Sequence, residues 1–263
     1  MATLVAYSAE GAVARLTLDS PHNRNALSTV LVRQLHEGLA RATADPHVRC
    51  VVLGHTGGTF CAGADLGEAG SAAGTSDPGD LALDRAREMT DLLRAIVASP
   101  LPIIGVVDGH VRAGGLGLVG ACDIVVAGPS STFALTEARI GVAPSIISLT
   151  LLPKMSARAA GRYFVTGEKF GPEEAQSIGL ITIAADSAES AAATVAKLTA
   201  DIAKGSPQGL AASKALTTAA LLARFDADAE ALTAQSAKLF VSEEAREGIT
   251  AFLEKRPPRW SHL

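Results

Sequence analysis

Three short stretches of this chain carry residues able to do chemistry. Residues 57–68 read GGTFCAGADLGE, with Gly63 and Ala64 following a turn. Small residues there let the backbone come close to a ligand. Residues 112–123 read RAGGLGLVGACD, and Gly115-Leu116-Gly117-Leu118-Val119-Gly120 inside them fits G-x-G-x-x-G. Residues 133–144 read FALTEARIGVAP, with one carboxylate, Glu137, among the apolar Phe133, Leu135 and Ile140.

The glycine stretch has three readings. A dinucleotide fingerprint should turn directly from a strand into a helix, with an acid ending the next strand about 20 residues on. Residues 108–113 stand between the preceding strand pattern and the glycines, and the next strand pattern ends at Ala127-Gly128 without an acid. That context fails. The second reading is close packing of a glycine-rich helix start. In the third, backbone N–H groups from two small-residue loops converge on one oxygen. Such an oxyanion hole stabilises developing charge by about 3–4 kcal/mol per donor, and a helix starting at Gly114 would add its positive end. Glu137 has two readings. A carboxyl among apolar neighbours is pushed toward neutral pKa and suits proton transfer; the plainer alternative is an exposed Glu paired with Arg139.

Other elements must position these stretches. Strand-type runs occupy residues 12–19, 49–53, 102–107 and 124–127. Ser28 looks like an N-cap before a helical stripe of Leu31, Val32, Leu35, Leu39 and Ala42. A glycine-rich turn is predicted over 55–58, an amphipathic helix over 81–98 and a helix start over 114–122. Residues 66–80 are low in large apolar side chains and rich in Gly, Ala and Ser, which predicts a mobile loop. From about residue 144, helical segments follow one another at 145–152, 156–165, 172–178, 188–204, 207–222, 228–241 and 242–255, with one short strand near 181–184. Pro172 and Ser242 mark two of these starts. The pattern is an α/β core with an all-helical C-terminal part.

Length and composition bound the function. The 263 residues suffice for one large core. Formal net charge is −4 with scattered basic residues, which gives no electrostatic case for nucleic acid or an anionic membrane. Cys50, Cys61 and Cys122 are isolated, without zinc spacing, and suit small apolar fillers in a reducing compartment. No metal site is expected. Long apolar runs are interrupted, and the N-terminus lacks a basic stretch before an apolar core, so a cytoplasmic protein is expected.

Five ordered stretches carry a family resemblance. They are NRNALS (23–28), FCAGADL, DGHVRAGGLGLVGACDIVVAG, FALTEARIGVAP and FLEKRPPRW (252–260). Together they resemble the crotonase (enoyl-CoA hydratase/isomerase) family over nearly the whole chain. The resemblance implies a spiral of ββα units over residues 1–195 and a helical trimerisation region over 196–263. It implies an acyl-CoA thioester substrate and assembly as a homotrimer or a dimer of trimers. No cofactor is implied, coenzyme A being part of the substrate. The N–H groups of Ala64 and Gly114 would hold the thioester oxygen, with Glu137 as the acid–base group. Arg24, Ala26, Ala62, Asp65, Leu66, Gly117, Ser145, Phe252 and Lys255 would contact the CoA or acyl parts.

Several of these positions keep a plainer reading. Asp65 also suits a loop brace, Glu68 a helix start, and Lys255 a surface lysine rather than a phosphate contact. Arg112 and His110 are pocket liners or internally satisfied. The chain departs from the family at Gly117, where the resemblance expects the first of two glutamates. Hydration would then run through Glu137, with backbone groups near Ser145 placing the water. A 3-enoyl to 2-enoyl-CoA isomerase, needing one carboxylate, is the alternative enzyme; a non-catalytic acyl-CoA binder is the alternative outside catalysis, and a NAD-dependent enzyme the remotest.

Overall fold

The computed structural model describes residues 2–71 and 77–261. It opens on an antiparallel hairpin, β1 (Val5–Glu10) and β2 (Val13–Leu18). Gly11 takes φ +54° in the two-residue turn, where strand twist demands a positive φ. α1 (Thr29–Ala44) buries Leu31, Val32, Leu35, Leu39 and Ala42. Ser28 Oγ accepts from the Leu31 N–H, a cap worth about 1 kcal/mol.

A unit then repeats: a strand in a large sheet, a short strand in a second sheet, and helix. β3 (Cys50–His55) leads to β4 (Thr59–Cys61), α2 (Leu66–Ser71) and α3 (Pro78–Ala98). β5 (Ile103–Val107) leads to β6 (His110–Arg112) and α4 (Gly114–Ala121). β7 (Ile124–Ala127) leads to β8 (Thr132–Ala134), a 3-10 turn (Glu137–Ile140) and α5 (Ser148–Leu151). β3, β5 and β7 pair in parallel in the large sheet, and β4, β6 and β8 in the small one. Parallel neighbours need a crossover, supplied here by each unit's helices, so the chain advances as a spiral.

α6 (Ala157–Thr166), α7 (Pro172–Ser177), β9 (Ile183–Ala184) and α8 (Ala188–Ile202) finish the core. The large sheet runs β1-β2-β3-β5-β7-β9. One face packs the main core around Leu16, Leu53, Phe60 and Leu93; the other meets α8 through Val52, Ile104, Val126, Ala191 and Val195. α9 (Pro207–Phe240) and α10 (Glu243–Leu253) form the C-terminal helical part. α9 is tied to the core by Lys214, whose Nζ meets Asp123 Oδ2 at 2.8 Å and donates to the carbonyls of Ile96 and Leu101.

The structure corrects the sequence reading in several places. β1 was not expected, nor were the three-residue strands β4, β6 and β8, which are too short to show alternation. Of the expected loop over 66–80, residues 72–76 lie outside the described residues, while Leu66–Ser71 and Pro78 onward are helical. The helix expected over 145–152 is confined to Ser148–Leu151. The segments 207–222 and 228–241 are one helix of 34 residues. No Pro or Gly interrupts residues 223–227, and Phe225, 1% exposed, anchors the supposed gap.

Candidate active site

Two chain segments bring free backbone donors together. Leu27 and Ala64 form an isolated parallel bridge. In it the Leu27 N–H donates to Gly63 O at 2.8 Å and the Asp65 N–H donates to Leu27 O at 3.4 Å. A parallel bridge uses the peptide groups flanking Ala64, so the Ala64 N–H has no partner among the described residues. On the second segment, β6 ends at Arg112 and Ala113 takes φ +46° and ψ −122°. That conformation costs a residue with a Cβ about 1–3 kcal/mol. The Ala113 N–H is held by Ala134 O at 3.2 Å. The chain then enters α4 at once, and the Gly114 N–H, in its first turn, has no intrahelical acceptor.

The two segments touch. A methyl built on Gly63, itself at φ +93°, would stand 2.9 Å from Ala113 Cβ and 3.5 Å from the Gly114 nitrogen. Gly114 faces Leu27 Cδ1 and Met89 Cε, which supply apolar walls. The later glycines of α4 are packing positions. Cβ atoms there would strike Cys61 from Gly115, Ile147 from Gly117, and Thr150 and Leu151 from Gly120. The motif therefore serves close approach of protein to protein, not a nucleotide cradle.

Glu137 lies three residues beyond Ala134, the strand end that holds Ala113. It is 7% exposed, and its Oε2 has no partner among the described residues. Burial pushes its carboxyl up to about 7, against a smaller lowering by its own backbone N–H. The alternative pairing with Arg139 is absent: the Arg139 guanidinium donates to Thr166 O instead. Behind the turn, α10 presses in. A Cβ on Gly248 would lie 2.4 Å from the Ile140 backbone, and one on Gly141 would lie 2.5 Å from Glu244.

The remaining expected residues divide. Ala62 donates its N–H to Arg24 O at 3.1 Å, linking the early loop to the Ala64 loop. Ala26 is buried, Arg24 is exposed with φ +58°, and Leu66 starts α2 half-buried. Asp65 takes the bracing role: Oδ2 accepts from Asn23 Nδ2, and Oδ1 from the N–H groups of Gly67 and Glu68. Glu68 accepts from the Thr29 N–H, at the start of α1. Arg112 and His110 are satisfied by Thr132 and Val111. Ser145 is buried; Phe252, 58% exposed, and Lys255 lie on the C-terminal surface. All three cysteines are buried and unbonded to one another.

Sequence reasoning missed Ile147, Ala113 and the buried Asn25, which pins its loop to the Thr56 and Thr59 carbonyls. A lone glycine inside a helical pattern, Gly248, was the available signal for the α10 contact. A concavity of about 490 Å³ lined by Arg15, His55, Asp108 and Val195 lies on the α8 side of the large sheet and contains none of Ala64, Gly114 or Glu137. Among the described residues no cluster of His, Cys, Asp or Glu could hold a metal, and no helix is long and apolar enough to cross a membrane.

The enoyl-CoA hydratase/isomerase family model matches residues 8–262. The chain belongs to that family. An enoyl-CoA hydratase structure from Mycobacterium avium is 65% identical, with a TM-score of 0.89 over 99% of this chain and 100% of that one. A Rhodobacter capsulatus protein named "Probable enoyl-CoA hydratase" is 34% identical over 98% of this chain and 97% of its own. The family also contains isomerases: the Escherichia coli 1,2-epoxyphenylacetyl-CoA isomerase is 30% identical over 96% of each chain. The spiral core and helical C-terminal part are the crotonase fold, as the sequence resemblance implied.

Proposed function

We propose that this crotonase-family protein adds water across the C2–C3 double bond of a 2-enoyl-CoA thioester. The observation that carries the reading is Glu137, a buried carboxylate with a free oxygen, three residues beyond Ala134, whose carbonyl holds Ala113 at the start of the Gly114 helix. The Ala64 and Gly114 N–H groups receive the thioester oxygen. Ionised Glu137 takes a proton from water as the water oxygen bonds to C3. The C2–C3 π pair shifts to C1–C2 and the carbonyl π pair moves onto the thioester oxygen, giving an enolate held by the two donors. The carbonyl re-forms and C2 takes the proton back from Glu137. One water is consumed and the carboxylate is regenerated, with no cofactor beyond the CoA of the substrate.

The outlying residues are assigned to binding. Arg24, Ala26, Ala62 and Leu66 border the CoA and acyl groups, and Asp65 keeps that loop in shape. Phe252 and Lys255 reach the CoA of a neighbouring subunit in a homotrimer or dimer of trimers, Lys255 toward a phosphate.

Gly117 favours a second reading. It offers no carboxylate, and Ile147 fills the space beside it. One carboxylate suffices to carry a proton from C2 to C4, which is 3-enoyl to 2-enoyl isomerisation. Ultraviolet absorbance separates the two. Hydration removes the conjugated enoyl signal of a 2-enoyl-CoA; isomerisation creates it from a 3-enoyl-CoA. Retained CoA binding with neither change would leave a binding protein.

A further inference from the structure

A second buried oxygen, on the loop that leaves the Glu137 turn, lacks a partner. Ser145 is 5% exposed, and its Oγ makes no hydrogen bond among the described residues. A buried hydroxyl left unpaired is destabilising unless a bound group completes it. The surrounding groups are already committed: the Ser145 N–H donates to Ala143 O at 2.8 Å, and the Ser148 hydroxyl donates to Ser145 O at 2.6 Å. The Val142 N–H donates to Glu137 O at 3.1 Å, which folds the connecting loop back on the Glu137 turn. A single short loop thus starts and ends on a buried, unpartnered oxygen.

The far end of this loop is clamped to α4, the helix that begins with Gly114. Thr150 Oγ1 donates to Gly117 O at 3.1 Å. Ile147 Cγ2 would be 2.5 Å from a Cβ on Gly117, with Leu93 Cδ1 at 3.3 Å. A polar side chain at position 117 has no room unless Ile147 moves. Any second polar side chain of the site must come from elsewhere, and Ser145 stands two residues from Ile147.

We propose that the Ser145 hydroxyl is a second catalytic group, holding the attacking water at C3 by accepting the hydrogen that Glu137 does not take. This rests on the hydration reading. Ser145 gains and loses no proton, so the balance of the reaction is unchanged.

The test pairs two reactions of the full-length protein. One is hydration of crotonyl-CoA. The other is exchange of the C2 protons of saturated butyryl-CoA in D2O, followed by NMR, which needs Glu137 and the two N–H donors but no attacking water. Ser145→Ala is expected to lower the hydration kcat tenfold or more, with KM within twofold and the exchange rate kept. Ser145→Thr, which restores a hydroxyl, is expected to recover part of the loss. Glu137→Gln is expected to abolish both reactions. Hydration by Ser145→Ala within twofold of native would overturn the proposal, as would equal loss of both reactions. Exchange without hydration in the native protein would overturn Ser145 and hydration together but leave Glu137 as the base. No exchange in the native protein would overturn the Glu137 assignment as well.

Discussion

Glu137 sets the chemistry at the scale of one side chain. Its carboxyl is pushed up to about 7 by burial, and the ionised form is the base. The kcat/KM of hydration is therefore expected to rise with pH through about 7 and level off above it; a flat profile from pH 5.5 to 8.5 would contradict this. The same burial has a stability cost. The unfolded carboxyl ionises near its ordinary value, so between there and about 7 the folded state holds the extra proton and stability falls as pH rises. At pH 8 the full cost is present, about 3 kcal/mol from the size of the shift. Glu137→Gln is expected to raise Tm at pH 8 and leave it nearly unchanged at pH 4. In hydration the same variant is expected to lose about 100-fold or more, the range for removing an acid–base group.

Among elements, the decisive contacts are glycine to backbone. α10 holds the Glu137 turn through Gly248 against Ile140 and Glu244 against Gly141. Gly248→Ala is expected to push α10 off this turn, lowering kcat about tenfold while crotonyl-CoA KM changes little. Unchanged kcat would show that α10 does not position Glu137. The elements also show what was legible in the sequence. FCAGADL, AGGLGL and FALTEAR were readable because backbone donors and one carboxylate depend on local residue types. The Ile147–Gly117 contact was not, since it joins residues distant in sequence and no periodicity marks it. The continuity of α9 was obscured for another reason: its buried stripe, Lys214, Thr218, Leu221, Phe225, Thr233, Ser236 and Ala237, is largely polar or small, so apolar periodicity does not mark it.

The whole molecule depends on how the helical C-terminal part grips the spiral. Lys214 reaches from α9 to Asp123 and two carbonyls, its side chain 4% exposed and that of Asp123 18%. Burial draws the lysine down while Asp123 opposes the shift. Lys214→Met keeps the length but leaves Asp123 without its counter-charge, held only by the Ile103 N–H, and takes the donor from both carbonyls, an expected loss of about 3 kcal/mol read as a lower urea midpoint. The other end is fastened by Glu247, which accepts from Arg256 and from the Arg259 N–H and is held down to about 2 by those partners. These ties leave Leu216, Phe252 and Leu253 on the surface of the single chain. A proposed trimer or dimer of trimers would cover apolar surface of this kind, and sedimentation equilibrium is expected to return three or six chains. A monomer would remove the assignment of Phe252 and Lys255 to a neighbour's CoA.

The most direct measurement is loss of the conjugated enoyl absorbance when native protein and Glu137→Gln are each mixed with crotonyl-CoA and with longer and branched 2-enoyl-CoAs. Native protein is expected to remove the signal from at least one of them, and the variant from none at a comparable rate. An equally active variant, or a native protein inert toward every 2-enoyl-CoA while it conjugates a 3-enoyl-CoA, would contradict hydration through Glu137.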